Sequence, residues 1–154
     1  MSQRYWLMKT EPTVYSIDDL QHMQRTAWEG VRNYQARNFM RDDMQVGDQV
    51  LIYHSSTEPP GVAGLGEVCK AGYPDFHAWD QTSKYFDSKS DPANPRWFMV
   101  DVKFVAKFPA IISLHQLKSD PALSGMLVTQ RGVRLSVQPV AQKHFERIVK
   151  LGQK

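Results

Sequence analysis

Between Trp28 and Asn38 the chain places one tryptophan, two arginines and two asparagines within eleven residues. These types suit a nucleic-acid base. An indole stacks on a flat heterocycle, a guanidinium forks onto phosphate, and an asparagine amide matches a base edge. The segment runs into a helix start, where free N–H groups and the positive end of the helix dipole favour an anion. Inside that helix Tyr34, Arg37, Asn38 and Arg41 recur at i, i+3, i+4 and i+7, so a ring, two guanidiniums and an amide share one stripe. The same residues also admit a structural reading: Trp28 as core anchor, Asn33 as helix cap, Arg37 and Arg41 as a solvated face. Residue types alone leave both open.

Other chemistries lack their residues. The sequence contains no phosphate-binding glycine loop of the Walker type, no HExxH, no CxxC pair and no GxSxG elbow, and Gly64-Leu65-Gly66 has Cys69 where a dinucleotide fingerprint needs a third glycine. The five histidines (His22, His54, His77, His115, His144) are scattered, without metal-ligand spacing. His54-Ser55 could tempt a hydrolase reading, but adjacent residues at a strand end point in opposite directions, so hydrogen bonding to something held at the mouth of a sheet fits better. A non-enzyme without metal or cofactor is expected.

The elements that must position these residues follow from local pattern. Arg4 to Met8 predicts a short strand ending at Lys9-Thr10-Glu11-Pro12. Ser16 and Asp19 make a capping box for a helix to about Gln24, with Tyr15 and Leu20 spaced as a staple. Ala36, Phe39 and Met40 set the buried face of a second helix from Asn33 to Asp43. Gln49 to His54 predicts a strand buried on both faces. Gly61 to Val68 predicts the next, where Gly61, Gly64 and Gly66 imply close approach by a backbone or a ligand. Tyr73 to Pro95 predicts a long ordered loop, which includes Trp79 and Tyr85. Trp97 to Val105 alternates cleanly as a strand, Ser113 and Gln116 form a second capping box, Val133 to Val137 predicts a last strand, and a helix starts near Ala141. Five or six strands among short helices predict an α+β fold, a small curled mixed sheet or barrel flanked by helices, rather than βα alternation.

A length of 154 residues fits one domain with a sizeable core. No apolar run reaches the roughly 18 residues of a membrane helix, and the start lacks a secretion-signal layout. With Cys69 as the sole cysteine, a reducing, cytoplasmic setting is expected, or a nuclear one in a eukaryote. A net charge of +3 is too small to hold a polyanion unspecifically, so affinity must come from the placement of a few cations and rings.

Seven ordered blocks sharpen this picture: YWLMKTEP from Tyr5, YSIDDL from Tyr15, WEGVRNYQARNFMR from Trp28, VGDQVLIYHSS from Val46, YPD from Tyr73, PRWFMVDV from Pro95 and RLSVQPV from Arg134. Together they span nearly the whole chain and resemble the signature blocks of the EVE domain family. The resemblance implies one PUA-like domain over residues 1–154, related in fold to YTH domains, and a non-catalytic binder of a modified base, methylated or hydroxymethylated, in DNA or RNA. It implies a pocket at Lys9, with Trp28 as cage wall, Arg32, Asn33, Tyr34, Arg37 and Asn38 around the helix start, His54 and Ser55 at the strand mouth, and Ser136 with Gln138 opposite. Two features depart from the family pattern: Leu65-Gly66 replaces a common Ile-Ala pair, and the longer Ala78 to Asn94 loop leaves the second cage ring open between Trp79 and Tyr85. On this reading a base swung out of its stack is edge-read by Asn33, Ser55 or backbone groups. Trp28→Ala should then abolish binding while sparing the fold, and the molecule should work as a monomer. The alternative is a receptor for a small molecule or nucleotide in the same pocket.

Overall fold

The computed structural model describes residues 3–90, 92–93 and 95–153. Asn94, the expected end of the long loop, lies outside them. Six strands, β1 (Tyr5–Thr10), β2 (Arg25–Ala27), β3 (Gln49–His54), β4 (Gly61–Pro74), β5 (Phe98–Ser113) and β6 (Val137–Val140), form one mixed sheet in the order β2-β5-β4-β3-β1-β6. Among the described strands only β1 and β3 run parallel. The sheet curls but does not close, so β2 and β6 are left as its two edges.

Alternation along the strands explains why both faces are covered. Trp6, Met8, Val50 and Ile52 turn one way, beneath α1 (Ile17–Met23) and α2 (Tyr34–Asn38) with the π-helical turn Phe39–Asp43 that extends it. Leu7, Leu51 and Tyr53 turn the other way, beneath α3 (Leu114–Ser119) and α4 (Gln142–Gly152). Among the described residues no helix is long and apolar enough to cross a membrane.

Curling is built into the β4/β5 ribbon. Its pairing slips register four times between Val62 and Tyr73. A Cβ on Gly64 would stand 2.4 Å from the Ala106 carbonyl oxygen, and one on Gly61 would stand 2.2 Å from that of Ile112. The approach inferred from these glycines is therefore that of the neighbouring backbone.

Both expected capping boxes are present, Ser16 with Asp19 and Ser113 with Gln116. Several boundaries differ from expectation. β4 and β5 run past the glycine and alternation signals, to Pro74 and Ser113. Residues 25–27 form a strand too short to show a period. The last strand is Val137–Val140 rather than Val133–Val137. Pro139 makes that stretch look unlike a strand, yet it is tolerated: Lys9 N–H donates to the Ser136 carbonyl at 2.9 Å, so residues 136, 138 and 140 face β1 and proline's missing N–H falls on the outward side of an edge.

Candidate functional site

The chain leaves β2 at Trp28, whose N–H donates to the Val100 carbonyl at 2.8 Å, and turns at Gly30 with φ +79°. One buried carboxylate fixes that turn. Asp75, fully buried, accepts from Gly30 N–H at 2.9 Å, from His77 N–H at 3.0 Å and from Arg32 Nη1 at 3.0 Å. Its charge is thus paired and its lone pairs are used, as burial demands. Arg32 in turn donates through Nη2 to the Tyr85 carbonyl at 2.7 Å. A Cβ on Gly30 would fall 2.4 Å from two Tyr85 ring carbons, so the ring rests directly on the glycine backbone.

Beside Tyr85 a cavity of about 440 Å³ opens to solvent. Its lining includes Lys9 and Thr10 of β1, Tyr15, Thr26 and Ala27 of β2, the Trp28 to Arg32 turn, Lys84, Tyr85 and Ser136, which precedes β6. The cavity therefore spans the gap between the two sheet edges. Trp28 is only 8% exposed, with Tyr15 edge-on at 6.5 Å, so its indole is both cavity wall and core. That dual role bears on the expectation that Trp28→Ala abolishes binding while sparing the fold, because emptying such a site costs about 3–5 kcal/mol of stability. Lys9 has no carboxylate within ion-pair distance among the described residues. Burial holds its ammonium pKa below the ordinary lysine value. On the rim Glu29 pairs with His77.

Lys9, Trp28, Arg32, Tyr85 and Ser136 are thus the expected residues that meet at the cavity. The others lie elsewhere. Asn33 spends its amide oxygen on the helix cap, accepting Ala36 N–H at 3.0 Å. Trp79 ends a 3-10 turn away from the lining, so of the two loop rings Tyr85 is the one at the cavity. Buried His54 accepts Ile17 N–H on Nε2 at 3.1 Å, which docks α1 onto β3. Burial lowers the pKa of that imidazole, with Lys107 adding to the effect and Asp18 opposing it. Ser55 N–H is held by the Thr10 carbonyl at 2.9 Å, and buried Gln138 donates to the Leu135 carbonyl at 2.8 Å.

Tyr34, Arg37 and Asn38 continue outward from the cavity. Arg32 stands 5.5 Å from the Tyr85 ring and 5.3 Å from that of Trp97. Tyr34 stacks on Trp97 at 5.0 Å, and Arg37 stands 4.9 Å from Tyr34. Arg37 donates to the Arg96 carbonyl and to Asn38 Oδ1, at 2.8 and 2.9 Å, and pairs with no carboxylate among the described residues. Tyr85, Arg32, Trp97, Tyr34 and Arg37 therefore form a chain of ring and cation contacts, with Trp97 buried within it. Sequence reasoning missed Asp75, Gly30, Tyr15, Lys84 and Trp97. The partners that give Asp75 and Trp97 their roles are distant in the chain, whereas glycine in Trp28-Glu29-Gly30 was a readable sign of a positive φ.

A family model described as the EVE domain matches residues 4–151. Human thymocyte nuclear protein 1 is 39% identical over 97% of this chain and 74% of its own length. A hypothetical protein from Leishmania major superimposes with a TM-score of 0.92 at 52% identity, covering 98% of this chain and 95% of that one. The human THYN1 protein, solved in complex with 5-methylcytosine-containing DNA, superimposes with a TM-score of 0.91 at 38% identity over 99% of both chains.

Proposed function

The chain belongs to the EVE domain family, and we propose that it is a non-catalytic module that takes one modified nucleic-acid base into the cavity beside Tyr85. One observation carries this reading. The cavity joins an aromatic wall to an acid-free lysine and opens onto a run of guanidiniums and rings, a combination suited to a flat base with its phosphates trailing outward. A relative of the same fold solved with 5-methylcytosine-containing DNA supports a modified cytosine as the first target to try. Among the described residues no group of three acidic, histidine or cysteine side chains is placed to hold a metal, and the cavity offers no nucleophile paired with a base.

Energetics define what each part must contribute. Stacking is worth roughly 1–3 kcal/mol per base and extruding a base costs a few kcal/mol, so the two nearly cancel. Edge hydrogen bonds from Lys9, Ser136 and backbone, with phosphate contacts from Lys84 and Arg37, supply the surplus. Tyr85→Ala removes a half-buried ring on a loop and spares the core. Fluorescence anisotropy with a short strand carrying one 5-methylcytosine should show its affinity reduced by about tenfold or more, with an unchanged melting temperature. Undiminished affinity would move the binding site elsewhere. Binding of the free nucleoside as tight as that of the strand would instead favour a small-molecule receptor.

A further inference from the structure

The cavity lies where the sheet fails to close, and one of its walls is the bare edge of β2. The phase of that edge is fixed. Trp28 N–H donates to the Val100 carbonyl and Phe104 N–H to that of Gln24, both at 2.8 Å. With Thr26 opposite Val102, residues 24, 26 and 28 turn their backbone groups toward β5. Ala27, between them, turns its groups away from β5, toward the gap. There its carbonyl already accepts Glu29 N–H at 3.0 Å, which leaves the N–H as the backbone group of Ala27 that faces the cavity. A backbone N–H in a cavity must find an acceptor from water or a ligand.

We propose that the Ala27 amide is a base-reading donor, resting on the function above. It donates to an in-plane ring nitrogen or carbonyl oxygen of the extruded base. The heterocycle thereby takes up one edge of β2 as a seventh strand would, and bases are sorted by whether they present an acceptor there. The side chain plays no part, which is why residue type gives no sign of the role.

The experiment follows backbone amides by NMR in the full chain while a single strand carrying one 5-methylcytosine is added. The Ala27 amide should exchange rapidly with solvent in the free protein, then shift downfield and become protected on binding. In parallel, Ala27→Pro, which deletes the N–H at a position the ladder does not use, should lose about tenfold in affinity. If the strand binds and the Ala27 amide neither shifts nor gains protection, the proposal is overturned whether or not the proline variant folds. If the strand does not bind the parent protein at all, the function itself fails and this role with it.

Discussion

At the scale of single residues, the cavity wall depends on one position that must remain glycine. Gly30 combines a left-handed backbone with the van der Waals footprint of the Tyr85 ring, so any Cβ meets both problems at once. Gly30→Ala should lower stability by about 1–2 kcal/mol for the backbone alone. It should also weaken oligonucleotide binding about as much as Tyr85→Ala does, because the ring must leave its seat. Urea unfolding and anisotropy check both, and a variant normal in both would mean that the ring needs no glycine beneath it. Residue types in the sequence were good guides where a side chain's chemistry is its role. A tryptophan beside arginines pointed to Trp28 and Arg32, whereas Lys9 came only from the family resemblance. Where residue types left two roles open, a neighbouring backbone had first claim: the Asn33 oxygen went to its helix cap and the His54 nitrogen to the start of α1.

At the scale of elements, α1 is coupled to the sheet through a titratable contact. Because His54 Nε2 accepts a hydrogen bond from Ile17 N–H, the folded state requires the neutral ring, and burial holds its pKa below the ordinary 6.5. Between the two pKa values the unfolded chain binds more protons than the folded one. The contribution is therefore complete above pH 6.5 and is lost as pH falls through the depressed folded value. Urea midpoints measured from pH 8 down to 5 should decline across that window, and His54→Gln should be less stable at pH 8 but flatter below it. Parallel profiles for the two proteins would show that some other group titrates. Elements with short-range signals were legible, since each capping box closes within four residues. β2 was not, because three residues cannot display a period, and β6 was hidden by a proline whose tolerance depends on which side of the strand is unpaired.

At the scale of the whole molecule, the cavity exists because of strand order, which brings residues near 9, 27 and 136 together at the unclosed seam. No local pattern encodes that, and only the family-wide blocks pointed to it. Charge shows the same non-local character. A net +3 is modest, yet Lys84 at the cavity and Arg37 beyond it pair with no carboxylate among the described residues. If each meets one phosphate, log affinity should fall against log salt with a slope between about −1.4 and −1.8, a roughly 7–12-fold loss from 50 to 200 mM. A slope near zero would show that no phosphates are held. The open sheet also bears on self-association. Exposed margins commonly recruit stray chains, but here a would-be templating peptide meets only Arg25 and Ala27 on one margin and, on the other, Val137 before Pro139 interrupts the row. So few outward amides on these two strands give a polypeptide little to zip onto, without the barrel ever having to shut.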